Sequence, residues 1–81
     1  MNVKVEDAIV KRLIKMYLTV NKTATARMIT KHIYDNNYGL QKTYTPSSLG
    51  KKITEWNKTS RTWFNIESYH DGKNKWYYIK E

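Results

Sequence analysis

The sequence predicts an α+β domain in which three helices are followed by a β-hairpin. Apolar residues recur at helical spacing through the first part of the chain, and the apolar period changes to two residues near the C-terminus. Asp71-Gly72 stands between two alternating segments, which is a strong hairpin signal. The 81 residues suit a single domain spanning 1–81. A chain this short needs large core side chains, and three Trp, seven Tyr and one Phe supply them.

The first helix is predicted over residues 5–19. Glu6 and Asp7 occupy its first turn, where the helix dipole favours acidic side chains. The apolar residues that we expect to face the core are Ile9, Leu13, Met16 and Val20, widened by Val10, Ile14 and Tyr17. The basic residues expected on the solvated face are Lys11, Arg12 and Lys15.

A second helix is predicted after a short linker at residues 23–26. Thr25 or Thr23 supplies the capping hydroxyl, and Ala26, Ile29 and Ile33 form the apolar face. Asn36, Asn37 and Gly39 tolerate a left-handed C-cap, so the helix is expected to end there. Residues 40–44 would form the connection to the third helix.

The third helix has the clearest start signal in the chain. Thr45 provides a hydroxyl cap and Pro46 takes the first helical position, and the helix is expected to run to about residue 57. Its core stripe is Leu49, Ile53 and Trp56. Gly50 inside the helix predicts a close approach of another helix or of backbone.

The last part of the chain predicts a β-hairpin around Asp71-Gly72. Either a two-residue or a four-residue loop preserves the alternation of faces. The residues expected on the core face are Phe64, Ile66, Tyr77 and Ile79. Tyr69, Trp76 and Tyr78 fall on the other face. There they would stack on unpaired bases, form cross-strand pairs that stiffen the hairpin, or present a patch for another protein, and we favour the structural role.

The charge balance favours an anionic partner. Fifteen Lys and Arg oppose seven Asp and Glu, for a net charge of +8. An excess of this size indicates nucleic acid first and an anionic membrane surface second. No apolar run is long enough for a membrane span and no signal-peptide pattern is present. We therefore expect no membrane association and a soluble protein of the cytoplasm of a bacterial or archaeal cell, or of its nucleoid.

Polar residues of the third helix and the hairpin tip form the candidate DNA-binding site. On the helix, the polar face opposite the core stripe suits major-groove recognition, since Lys reaches guanine or phosphate and Ser and Thr contact bases or backbone. Lys-rich hairpin tips contact phosphates beside such a helix. The candidate residues are Thr45, Ser47, Ser48, Lys51, Lys52, Thr54 and Lys58 on the helix, Arg61 in the linker, and Lys73, Asn74 and Lys75 at the hairpin tip.

Across nearly its full length the chain resembles the winged helix-turn-helix superfamily. The segment Thr-Pro-Ser-Ser-Leu-Gly-Lys-Lys-Ile at 45–53 and the segment Trp-Tyr-Tyr-Ile at 76–79 resemble the C-terminal winged-helix domain of phage- and poxvirus-type primase-helicases. The resemblance implies binding of double-stranded DNA by the third helix and the hairpin wing. We expect a stand-alone regulator or replication accessory factor of a phage, plasmid or mobile element.

A second interpretation is a protein-interaction winged helix whose basic face binds an acidic protein, as a small inhibitor or adaptor. A homodimer is also compatible with the sequence. An enzyme is a distant third, because no Gly-rich phosphate loop and no Ser/His/Asp arrangement is present. The chain has no cysteine and two well-separated histidines, so we expect neither a metal site nor a cofactor.

Overall fold

The computed structural model describes residues 3–36, 39–40, 43–59 and 63–80. Within these ranges the chain forms three helices and three short strands. The elements in chain order are α1 (Val3–Asn21), β1 (Thr23–Thr25), α2 (Ala26–Asp35), α3 (Pro46–Thr59), β2 (Ile66–His70) and β3 (Lys75–Ile79). The strands form one antiparallel sheet in the order β1-β3-β2. The predicted α+β class is confirmed.

Helix α1 buries only part of the apolar surface that was predicted to face the core. Val10, Ile14 and Leu18 are at most 1% exposed and lie in the core. The predictions for Val10 and Ile14 are confirmed, and Leu13 and Tyr17 pack partly buried against the core. The predictions for Met16 and Val20 are wrong, because these side chains are 58% and 79% exposed. The helix carries two adjacent apolar stripes, and helical periodicity detects both without telling which one the neighbouring elements cover.

The basic side of α1 also differs from the expectation. The Lys11 side chain is partly buried, and its Nζ lies 5.8 Å from the ring centroid of Trp56 and 5.5 Å from that of Trp63. Lys15 Nζ lies 5.8 Å from the Trp63 centroid and donates a hydrogen bond to the Trp63 carbonyl. These lysines hold the Trp63 segment against α1, whereas Arg12 is exposed as predicted.

Strand β1 occupies residues that were predicted to be a linker. Thr23 pairs with Tyr78 and Thr25 pairs with Trp76, which places β1 at the edge of the sheet. A strand of three residues is too short for periodicity to reveal, so the linker prediction was wrong here. The prediction of Thr25 as the cap of α2 is confirmed, since its Oγ1 accepts from the Met28 backbone N–H at 3.2 Å.

Helices α2 and α3 follow the predicted pattern. Ile29 and Ile33 of α2 are fully buried. The predicted α3 stripe is confirmed, and its buried residues are Leu49, Ile53 and Trp56. At the start of α3, Thr45 Oγ1 accepts from the Ser48 backbone N–H at 3.1 Å, and Ser48 Oγ accepts from the Thr45 N–H at 2.9 Å. This reciprocal cap satisfies two backbone donors.

The connection from α2 to α3 is only partly described. Asn36 ends α2 with a right-handed φ of −86°, so it does not supply the left-handed cap. Gly39 has a φ of +74°, a conformation that favours glycine. The predicted capping role of Asn37 lies outside the described residues.

The hairpin closes through a four-residue turn, because His70 pairs with Lys75. The face that covers the helices is the predicted one: Ile66 and Tyr77 are buried and Ile79 is partly buried. Phe64, just before β2, is fully buried. Among the helices of the described part of the chain, none is both long and apolar enough to cross a membrane.

Candidate nucleic-acid interface

An open groove of about 500 Å³ lies between the start of α2, the first turns of α3 and the hairpin tip. Its lining residues are Thr25, Ala26, Arg27, Pro46, Ser47, Gly50, Lys51, Thr54, Asn74, Lys75 and Tyr77. Five of them, Ser47, Lys51, Thr54, Asn74 and Lys75, belong to the candidate set derived from the sequence. We call this surface the α3–tip groove.

The helical residues of the α3–tip groove share one face of α3. Ser47, Lys51 and Thr54 are exposed and lie opposite the buried stripe that begins with Leu49. The Thr54 hydroxyl donates to the Gly50 carbonyl at 3.2 Å. The packing that buries one face of α3 therefore presents the other face to the groove.

Gly50 lets α3 approach the middle of the hairpin. A Cβ at this position would lie 2.9 Å from Tyr77 Oη, closer than side-chain carbons normally come. Tyr77 is only 4% exposed and forms part of the groove floor. A close approach at Gly50 is present, but the side chain of Tyr77 makes it, so the prediction of another helix or of backbone was wrong. Lys75 Nζ lies 5.5 Å from the Tyr77 ring centroid, where the aromatic face attracts its charge.

Asn57 fixes the hairpin to the end of α3. Its Oδ1 accepts a hydrogen bond from the Ile66 backbone N–H at 3.0 Å, and its Nδ2 donates to the Ile66 carbonyl. One amide side chain thus satisfies both backbone groups of the first residue of β2. The two bonds set the position of the hairpin relative to the polar face of α3.

Asp71 organises the hairpin tip. Its Oδ1 accepts from the backbone N–H groups of Asn74 at 2.7 Å and Lys73 at 2.9 Å, and its Oδ2 accepts from Trp76 Nε1 at 2.7 Å. The bonds from Asn74, then Lys73, then Trp76 lower the pKa of Asp71 to about 2. Because the pKa is lower in the folded protein, this stabilisation is present above about pH 4 and is lost as the pH falls through 2.

Removing the Asp71 side chain is expected to weaken binding of an anion in the groove, although it removes a negative charge. In Asp71→Ala the tip loses the acceptor that orders Asn74 and Lys73, so the groove loses its shape on that side. Asp71→Asn is the control, because its amide oxygen can still accept the two backbone bonds, while the charge and the bond from Trp76 Nε1 are lost. Titration with a labelled duplex should show weaker binding for Asp71→Ala and tighter binding for Asp71→Asn. Tighter binding by both would show that only the charge matters.

The other candidate residues do not line the groove. Thr45 and Ser48 are engaged in the cap of α3. Lys52 forms an ion pair with Glu55 at 3.5 Å. Lys73 is exposed at the tip. The predicted contact through Arg61 lies outside the described residues.

Lys58 faces a second groove. It lines this surface with Glu67 and Ser68 of β2, and Thr54 is shared with the α3–tip groove. The predicted polar face of α3 is therefore continuous along the helix, but its C-terminal end faces a carboxylate. This makes Lys51 the better-placed α3 lysine for an anion.

Arg27 and Thr25 were not among the candidate residues. Arg27 is exposed in the first turn of α2, and Thr25 is the cap of that helix. A cation in the first turn of a helix is unfavourable because of the helix dipole. The position of Arg27 was therefore the feature of the sequence that could have indicated a functional role. Arg27, Lys51 and Lys75 place three cations around a groove whose lining contains no carboxylate.

Within the described residues, no group of three or more His, Asp, Glu or Cys side chains could hold a metal ion. Comparison of the chain with protein-family models, curated proteins and solved structures finds no match. The geometry and charge of the α3–tip groove are therefore the evidence for a function.

Proposed function

We propose that this protein is a winged helix-turn-helix domain that binds duplex DNA without catalysing a reaction. The observation that carries the proposal is the α3–tip groove. It brings polar residues of α3 together with the hairpin tip and the start of α2, and three cations line it. A positively charged groove beside an exposed polar helix face suits a phosphate backbone next to a major groove.

The dimensions of α3 support docking in a major groove. A helix with its side chains is about 10–12 Å wide, and the major groove of B-DNA is about 12 Å wide. From Ser47 to Thr54 the exposed face rises by roughly 10 Å. That length corresponds to roughly three base-pair steps of 3.4 Å.

Helix α2 ends at Asp35 and α3 begins at Pro46. The connection between them is therefore longer than the turn of three or four residues in a tight helix-turn-helix.

The groove residues divide into two roles. Lys51 and Thr54 are assigned to base edges and nearby backbone oxygens. Arg27 and Lys75 flank the helix and are assigned to phosphates, which position the protein without reading sequence. The α3 lining of the groove holds one long basic side chain and two small hydroxyl residues, so we propose that binding tolerates many sequences.

A salt titration tests the proposal. Labelled duplex and single-stranded DNA are titrated at low and moderate salt, and the duplex should bind more tightly. Neutralising one phosphate contributes a slope of about −0.9 to the dependence of log affinity on log salt, so three groove cations give a slope of about −3. Absence of duplex binding at low salt, or a flat response, would contradict the proposal and favour an acidic protein partner. Tighter binding of single strands would point to the aromatic hairpin face.

The segment 45–53 supports the winged-helix fold more than a role in replication. Thr45 and Ser48 cap α3, Leu49 and Ile53 are buried, and Gly50 faces Tyr77. Most of the resemblance to primase-helicase domains is thus explained by folding requirements. The cellular role that we propose is a regulator or replication accessory factor of a phage, plasmid or mobile element.

A further inference from the structure

Helix α1 carries a second apolar stripe beside its buried face, half-buried at its N-terminal end and exposed at its C-terminal end. The stripe consists of Ile9, Leu13, Met16 and Val20, and Met16 and Val20 are 58% and 79% exposed. The four positions are separated by four, three and four residues. This is the spacing of the a and d positions of a coiled coil, whose narrow apolar seam packs against a facing helix. The spacing thus indicates a helical occupant.

Two grooves flank Met16 and continue the apolar surface. One, of about 330 Å³, is lined by Arg12, Lys15, Met16, Thr19 and Trp63. The other, of about 420 Å³, is lined by Leu13, Met16, Tyr17, Val20, Asn21 and His32. Side chains of a facing helix insert into holes of this kind in a coiled coil. We call the stripe and its two grooves the α1 seam.

Trp63 forms a preorganised wall of the α1 seam. It is 39% exposed, and the Lys15 ammonium both faces its ring and donates to its carbonyl. Its ring also packs edge-on against the buried Phe64, with centroids 5.8 Å apart. A large aromatic side chain held in place and partly exposed is typical of the anchoring residues of interfaces.

The charges around the α1 seam select among helical occupants. Arg12 and Lys15 line one groove, and neither groove is lined by a carboxylate. A second copy of this chain would bring the same cations and a net charge of +8 towards the seam. A helix with carboxylates beside its apolar residues would instead pair with Arg12 and Lys15.

We propose that the α1 seam is the docking surface for an acidic amphipathic helix of another protein. Apolar side chains of that helix pack on Met16 and Val20 and beside Trp63, and its flanking Glu or Asp residues contact Arg12 and Lys15. None of the residues that line the α1 seam lines the α3–tip groove. The proposal therefore does not depend on DNA binding.

Two synthetic helical peptides test the proposal by calorimetry. Both carry the same leucine seam over about three heptads. One has Glu and the other has Lys at the flanking positions. The Glu peptide should bind at least tenfold more tightly, and Met16→Gln combined with Val20→Gln should abolish its binding. Both replaced side chains are exposed, so the fold should be retained. Arg12→Glu should reverse the preference between the peptides, whereas Lys51→Ala combined with Lys75→Ala should leave it unchanged.

Three results would overturn the proposal. Equal binding of the two peptides, or binding of neither, would show that the seam does not select an acidic helix. A dimer in sedimentation that Met16→Gln and Val20→Gln dissociate would identify a second copy as the occupant. Binding to anionic lipid vesicles but to neither peptide would assign the seam to a membrane surface. No DNA is present in these measurements, so their outcome is separate from that of the duplex titration.

Discussion

Trp56→Ala is expected to lower the free energy of unfolding by about 3–5 kcal/mol, the range for truncating a large buried aromatic side chain. A domain of this size has a total stability of roughly 4–12 kcal/mol. The substitution therefore removes about a quarter of the stability or more. Chemical denaturation followed by circular dichroism measures the loss.

The surroundings of Trp56 explain the size of the effect. The side chain is 5% exposed and joins α3 to two other parts of the core. Its ring packs edge-on against Tyr44, with centroids 6.0 Å apart, and against Phe64, with centroids 5.8 Å apart. Lys11 covers it at 5.8 Å from the α1 side. Such edge-to-face pairs stabilise beyond simple burial, so the cavity left by alanine disturbs several contacts at once.

Trp63→Ala is the matched control, since it also replaces a tryptophan by alanine, but at a site where the side chain is 39% exposed. It should cost clearly less stability than Trp56→Ala. If Trp56→Ala unfolded at nearly the wild-type denaturant concentration but lost DNA binding, Trp56 would be a contact residue. The assignment of the two faces of α3 would then be wrong.

The success of the α3 and hairpin predictions has a local cause. Thr45 and Pro46 mark the start of a helix through interactions within a few residues of the chain. The turn at Asp71-Gly72 is also determined by local interactions. The face assignment on α3 also succeeded, because this helix has one narrow apolar stripe that includes Leu49. Where a segment offers a single apolar face, the periodicity leaves little choice about what is buried.

The errors have a tertiary cause. On α1 the buried row that includes Ile14 and the exposed row that includes Met16 are both apolar, and only the elements packed on α1 distinguish them. Strand β1 is a strand because Ala24 pairs with Tyr77 of β3, far along the chain. No local pattern in three residues encodes such a pairing. The expected exposure of Lys11 failed for the same reason, since Trp56 and Trp63 reach it only in the folded protein.

The sequence predicted individual residues of the candidate interface better than it predicted how the elements bring them together into one surface. Periodicity placed Ser47, Lys51 and Thr54 on one face, but it could not show that the hairpin tip closes over the first turns of α3 rather than its end. Asn57 determines that geometry through its bonds to Ile66. The consequence is that Lys51 and Lys75 share a groove while Lys58 faces Glu67.

Replacing Lys51 and Lys75 together with Ala is expected to weaken duplex binding by about ten- to hundredfold, equivalent to roughly 1.4–2.8 kcal/mol. Both side chains are exposed, so the fold should be retained. The two lysines come from different elements and line one groove. If each contacts one phosphate, the salt slope should become shallower by about two units.

Arg12→Ala combined with Lys22→Ala is the charge-matched control. Both residues are exposed and neither lines the α3–tip groove. This variant has the same net charge as the Lys51 and Lys75 variant. If net charge alone determined the affinity for DNA, binding would therefore weaken equally in both. We expect a loss of less than about threefold for the control, because neither side chain lines the groove and salt weakens the attraction between exposed charges that are not in contact. Equal losses would mean that net charge alone attracts DNA. A larger loss for the Arg12 and Lys22 variant would place the DNA beside these two residues, and the α3–tip groove would not be the binding site.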